Sequence, residues 1–214
     1  MRTMDCPEPL VFIVDDDDSV RTALSRLIRS AGHRVEAFSS AREFLALADA
    51  LACPSCLVLD VQLPDINGLQ LQHELGDALP IIFITGYGDL AITVHAMKAG
   101  ASDFLAKPVR EADLLNAIEL ALKRARVLYA NRCERDMLRG RFERLTPRER
   151  EVLELVATGY LNKQIASELG TVEQTVKAHR ARVMSKMEVT SLAQLVHIVD
   201  RLDALSAAGC RPPR

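Results

Sequence analysis

Apolar residues in the first half of the chain come in short continuous runs. Each ends abruptly in polar or charged residues. Leu10–Val14 runs into Asp15–Asp18, Cys56–Leu59 into Asp60, Ile81–Ile84 into Thr85 and Gly86, and Ser102–Ala106 into Lys107 and Pro108. Runs of this length, bounded by turn residues, predict strands buried on both faces of a parallel sheet. Val35–Phe38 is a further short strand. Between the runs, apolar residues recur at helical spacing: Val20, Leu24, Leu27 and Ile28; Phe44 and Leu45 after a Ser40 cap; Leu69–Leu75; Leu90–Ala99; and Glu111 on through Ile118 and Leu122. Gly32, Gly76, Pro80 and Gly100 punctuate them. Strand and helix alternate five times, which predicts a five-stranded parallel α/β sheet with helices on both faces.

The pattern changes after residue 125. Residues 126–141 form a charged helical linker, with the helix predicted to break near Gly140. The last third, 142–214, is helical throughout by pattern. Thr146-Pro147-Arg148-Glu149 combines an N-cap, a proline at the first helical position and a glutamate three residues after the cap. Asn162 caps a second helix holding Ile165, Ala166 and Leu169. Glu173–Met187 is a third helix, and Ser191 caps a fourth through Leu195 and Ile198. Two short helices around a glycine turn form a helix-turn-helix signal. The predicted architecture is an α/β unit, 1–125, followed by an all-α unit of four helices.

Charge sharpens this division. Residues 1–118 hold 9 Lys+Arg against 17 Asp+Glu, and residues 119–141 hold 7 against 3. An acidic half joined to a basic one points to different partners, with nucleic acid open to the basic half. The longest apolar runs fall well short of the roughly 20 residues of a membrane span, and Met1–Leu10 has no signal-peptide core. A cytoplasmic protein without membrane contact is expected. Cys53 and Cys56 have C-x-x-C spacing, but the pair leads into a strand and lacks a second pair, so no redox or zinc site is expected.

In an open parallel sheet the carboxyl ends of the strands share one edge, where chemistry collects. Strand one delivers Asp15 and Asp16 there, strand three Asp60, strand four Thr85 and strand five Lys107. Crowded carboxylates repel unless a cation joins them, and a hard ion such as Mg2+ suits oxygen ligands. With Lys107, such an ion would neutralise an incoming phosphoryl group. Asp60 could then be its nucleophilic acceptor. Thr85 could donate to the new phosphate oxygens, and Phe104 is placed to fill the space that Thr85 vacates. Asp17 and Asp18 are expected to be solvated. An aspartyl phosphatase needs a second Asp two residues after the nucleophile, and that position is Gln62, which disfavours turnover. No enzyme is expected.

The segments Ile13-Val14-Asp15-Asp16, Leu59-Asp60, Pro64…Gly68, Ile84-Thr85-Gly86 and Lys107-Pro108 resemble those of a response-regulator receiver domain over about residues 8–125. The resemblance implies a CheY-like fold in which Asp60 accepts phosphate from a sensor histidine kinase. It implies that Asp16 binds Mg2+ directly, Asp15 through water, and Gln62 through its backbone carbonyl. Thr85 and Phe104 become the switch pair, and Lys107 the phosphate contact. Dimerisation on phosphorylation would use the face around 89–122.

In the last third, Gln174, Lys177, Ala178, Ala181 and Arg182 lie opposite the core residues Val176, Val183 and Met187 of the third helix. This outer face, expected to carry no acid, suits the DNA major groove. Arg180 is expected to pair with Glu149, Glu151 or Glu154, and His179 either to meet a phosphate or to pack. Leu145–Leu153, Asn162-Lys163-Gln164-Ile165-Ala166 and Thr175-Val176-Lys177…His179 resemble a LuxR-type helix-turn-helix domain. That resemblance makes Glu173–Met187 the recognition helix, with DNA contacts from Gln174, Thr175, Lys177, Ala178, His179 and Arg182. It adds phosphate contacts from Asn162 and Lys163, a dimer contact from the final helix and RNA polymerase as a further partner. With Ile84-Thr85-Gly86-Tyr87-Gly88, the whole looks most like the FixJ subgroup of two-component transcription factors. A regulator whose receiver is only structural is the alternative reading.

Overall fold

The computed structural model describes residues 7–48, 52–86 and 90–209. The chain divides into two compact units, one up to Ala130 and one from Asn131 onward. The first contains β1 (Leu10–Val14), α1 (Asp18–Ser30), β2 (Arg34–Phe38), α2 (Ala41–Ala48), β3 (Ser55–Asp60), α3 (Gly68–Leu75), a 3-10 turn Gly76–Ala78, β4 (Ile81–Thr85), α4 (Leu90–Lys98), β5 (Asp103–Ala106) and the start of α5 (Glu111–Glu143). Five parallel strands stand in the order β2-β1-β3-β4-β5. Tyr87, Gly88 and Asp89 lie outside the described residues.

Side chains alternate across the strands with period two. Phe12, Val14, Leu57, Leu59, Ile81 and Phe83 pack on one face with Ala41, Phe44, Leu71 and Ala96 from the helices. Val11, Ile13, Val58, Ile82 and Ile84 pack on the other with Leu24 and Ile28 of α1 and Leu114, Ile118 and Leu122 of α5. Both faces are covered, which is why these strands read as unbroken apolar runs. Cys56 is fully buried in β3, where burial pushes its thiol pKa up to about 12; the thiolate that redox chemistry needs is suppressed.

Asp17 and Asp18 are exposed, as expected. Asp17 is also the N-cap of α1, accepting from the Ser19 and Val20 amides, and the Ser19 hydroxyl hydrogen bond leads in holding its pKa low. One local expectation changes. The helix does not break near Gly140, since α5 continues to Glu143. A single helical glycine costs only about 1 kcal/mol against alanine, and no proline follows it within the helix.

The second unit holds the end of α5, then α6 (Pro147–Ala157), α7 (Asn162–Glu168), α8 (Glu173–Met187) and α9 (Leu192–Gly209). Leu145, Val152, Leu153, Val156, Ile165, Val176, Val183, Met187 and Leu195 form its core, with Phe142 of α5 packed against it. Thr146 and Glu149 make the full capping box expected at α6. Asn162 is not a cap but the first helical residue of α7. The cap position is Leu161, which has no side-chain acceptor, and only the reciprocal half of a box is made, by Gln164 Oε1 accepting from the Leu161 amide. No helix among the described residues is long and apolar enough to cross a membrane.

Candidate phosphoacceptor site and nucleic-acid interface

Strand register assembles the first site. Val14 stands opposite Leu59, so the next residues on both strands, Asp15 and Asp60, emerge side by side. Thr85 stands opposite Ala106, so Lys107 follows directly onto the same edge. Asp15 is 1% exposed and Asp60 8%. The Lys107 ammonium bridges them, 2.8 Å from Asp15 Oδ2 and 2.5 Å from Asp60 Oδ2. The remaining oxygens take backbone donors: Asp17 N–H donates to Asp15 Oδ1 at 2.9 Å, and Gln62 N–H to Asp60 Oδ1 at 3.0 Å. The Arg21 guanidinium ties the loop down, donating to the Asp15 carbonyl at 2.7 Å.

Burial raises the Asp15 pKa, and the hydrogen bonds from Lys107 and Asp17 only partly oppose it. Burial also works against the Lys107 ammonium, but its bonds to Asp15 and Asp60 outweigh that and hold its pKa above the usual value. One ammonium thus faces two buried carboxylates, with the exposed Asp16 beside them. Oxygens of Asp15, Asp16 and Asp60 all lie within 4.8 Å of one another. A donor set made only of carboxylate oxygens, with one lysine to offset them, fits a hard divalent cation.

Thr85 is buried and Phe104 half-buried, on the same face of the sheet by strand alternation. The Phe104 ring packs against Phe83, its partner in register, with centroids 6.3 Å apart. Gln62 is exposed just beyond Asp60. The structure therefore brings Asp15, Asp16, Asp60, Gln62, Thr85 and Lys107 to one edge, with Phe104 in the layer behind. Asp65 is a participant that sequence reasoning missed. It caps α2 from 23 and 24 residues away, accepting from the Ala41 and Arg42 amides, so the loop after Asp60 is fastened to the neighbouring helix.

The second site is α8. Val176, Val183 and Met187 are buried, while Gln174, Lys177, Ala178, Ala181 and Arg182 are exposed, as the helical projection predicts. Thr175 and His179 are half-buried, and His179 Nδ1 is buried without a hydrogen bond. Two expectations fail here. The outer face does carry an acid: Glu173, one turn before Lys177, pairs with it at 3.3 Å. Arg180 does not pair with a glutamate of α6. Its Nη1 donates to Asn162 Oδ1 at 2.6 Å, linking α8 to the start of α7. Glu149 is taken instead by Lys186, at 2.6 Å. The Lys186 hydrogen bond leads, with the Thr146 amide, in lowering the Glu149 pKa to about 2.

At its far end α8 is held by the end of α5 and the residue that follows it. Arg141 Nη1 donates to the Met187 carbonyl and Arg144 Nη2 to that of Lys186, and both guanidiniums meet the Glu188 carboxylate. Glu188 itself caps the helix in the left-handed conformation.

An acidic pocket with one lysine at the strand ends of a parallel sheet, followed along the chain by a helix-turn-helix unit, points to a class of signal-responsive DNA-binding proteins. The response regulator receiver domain family matches residues 11–119, and the luxR family of bacterial regulatory proteins matches residues 143–199. The chain belongs to the response regulators with a LuxR-type DNA-binding domain. It is 49% identical to the response regulator protein TmoT of Ectopseudomonas mendocina, over 93% of this chain and 91% of that one. It is 40% identical to the transcriptional regulatory protein FixJ of Rhizobium meliloti, over 88% and 93%. Among solved structures, response regulator StyR superposes with a TM-score of 0.76 at 48% identity, covering 91% of this chain and 99% of that one.

Proposed function

We propose that the unit up to about residue 125 is a phosphorylation switch, that 126–141 is its helical linker, and that 142–214 is the DNA-binding unit it controls. Asp60 takes the phosphoryl group from the phosphohistidine of a sensor kinase. The histidine N–P bond breaks, a bond from an Asp60 carboxylate oxygen to phosphorus forms, and the imidazole leaves. Asp15, Asp16, Asp60 and the Gln62 carbonyl would hold Mg2+, which when bound offsets negative charge on the transferring group. Lys107 swings its hydrogen bond from the Asp60 carboxylate to the new phosphate. Thr85 turns to donate to the phosphate, and Phe104 moves into the space behind it. The surface of β5 and its neighbouring helices changes shape, and two copies pair. Two weak DNA-binding units held in one dimer gain affinity without new contacts. Gln174, Thr175, Lys177, Ala178, His179 and Arg182 face double-stranded DNA in the major groove, with Asn162 and Lys163 toward its phosphates. RNA polymerase is the partner of the DNA-bound dimer, and the chain works in the cytoplasm without catalysing turnover of its own.

The observation that carries this reading is the Lys107 ammonium held between two buried carboxylates at the strand ends. Incubation with a small phosphodonor and Mg2+, followed by intact-mass measurement, tests it. The wild type should gain the mass of one phosphoryl group and Asp60→Asn should gain none.

A further inference from the structure

α5 carries an apolar stripe that its own fold leaves uncovered. Leu114, Ala117, Ile118, Ala121 and Leu122 are buried against the sheet, and Ala125 is buried one turn on. Seven residues apart on the opposite side, Leu120 is 56% exposed and Val127 60%. With Leu120 and Val127 at the a position of a heptad, the d positions are Lys123 and Ala130, and every a and d residue from Asp113 to Ala130 is exposed. Read on along the sequence, the same frame reaches Met137 at d, which is also exposed.

The flanking charges say what covers the stripe. Glu119 and Arg126 fall at g, Arg124 and Asn131 at e. In a parallel pair of identical helices, g of one copy meets the following e of the other. Glu119 then faces the partner's Arg124, twice by symmetry. An antiparallel pair would instead set Arg124 against the partner's Arg124. Glu119 is half-exposed and reaches His33 at only 3.4 Å, so its carboxylate is open to a second cation. We infer that the Leu120–Ala130 stripe of α5 is a parallel helix–helix seam with a second copy of this chain.

The seam is too weak to act alone. It spans about two heptads, and Lys123 sits at d, where two ammoniums must bend away from each other. It therefore forms only when another contact brings the copies together and raises their effective concentration. This inference rests on the phosphorylation-dependent dimer proposed above, and extends it along α5 toward the DNA-binding unit.

The test is the dimer dissociation constant of the full chain by sedimentation, with phosphodonor and Mg2+, for wild type, Glu119→Arg, Arg124→Glu and the double swap. Each single change sets like charges across the seam and should weaken the dimer about tenfold. The double swap should restore it, which a loss of folding would not do. Val127→Glu should weaken it without rescue by either swap. A wild type that dimerises equally well with all three charge variants overturns the seam and leaves the stripe to some other cover. A wild type that stays monomeric overturns the dimer reading and the seam together.

Discussion

A side chain at Gly68 would collide with the backbone of Asp60. A Cβ built there stands 2.7 Å from the Asp60 carbonyl oxygen, 3.1 Å from Val61 Cα and 3.2 Å from the Phe83 ring. The first two are main-chain atoms that cannot move aside. The eight-residue spacing from Asp60 to Gly68 is thus a packing requirement: the chain leaves β3, turns, and starts α3 directly against the strand end. Gly68→Ala should cost about 1–3 kcal/mol, the usual penalty of overpacking a close-packed site. Gly140 is the control. It lies inside α5 with nothing within 4 Å of its built Cβ, so Gly140→Ala should gain up to about 1 kcal/mol. Urea denaturation of the two variants checks both signs.

Glu149 and Lys186 give the DNA-binding unit a pH-dependent stability. Glu149 titrates at about 2 in the fold and near 4.5 when unfolded. A carboxylate with a depressed pKa contributes fully above its unfolded value, and that contribution is lost as pH falls from about 4.5 toward 2. The lost increment is on the order of 3 kcal/mol. Glu149→Gln should destabilise the unit at pH 7 and flatten the difference from wild type below pH 3. Thermal melts of both proteins across this range measure it.

Arg180 joins α8 to α7, the two helices proposed above to approach DNA together. A hydrogen bond from a guanidinium is worth about 1.5–3 kcal/mol, and here it fixes α8 against the start of α7. Arg180→Ala should weaken binding to target DNA about tenfold or more although it faces away from the groove side of α8. Asn162→Ala should do much the same, and the double variant should add little, the mark of a direct coupling. A fluorescence-anisotropy titration of the four proteins reads the cycle.

Metal should stabilise the first unit. An ion bound only by the folded state adds about 2.7 kcal/mol at a hundred times its dissociation constant. Asp16 is exposed and lies within 4.8 Å of Asp15 and Asp60, the two carboxylates that share the Lys107 ammonium. Asp16→Ala should therefore raise the melting temperature slightly without Mg2+, by relieving repulsion, and abolish most of the rise on adding Mg2+. Calorimetry with EDTA and with Mg2+ separates the two effects.

The sheet was legible because both of its faces are covered. Unbroken apolar runs have one use in such a fold, and each ends where its polar residue emerges, so the sequence alone brings Asp15, Asp60, Thr85 and Lys107 to one edge. The core side of α8 was equally legible, since periodicity fixes which residues face inward. Periodicity does not say which neighbouring helix lies at a given azimuth. The azimuth of Arg180 is compatible with the acids of α6, but the partner that reaches it is Asn162 of α7. The i, i+4 spacing of Glu173 and Lys177 is present in the sequence and marks an ion pair at the edge of the outer face. Asp65 was beyond reach for a different reason: its partners, the Ala41 and Arg42 amides, are joined to it only through the folded sheet. Gly140 shows that a glycine alone is a weak stop signal inside a long helix.

The most direct measurement is DNA affinity and sedimentation mass, with and without a small phosphodonor and Mg2+, for wild type and Asp60→Asn. The account predicts that the donor converts wild type to a dimer and tightens its DNA binding while Asp60→Asn responds in neither assay. Equal DNA binding by both proteins, unchanged by the donor, would contradict it and leave the first unit a structural companion to the second.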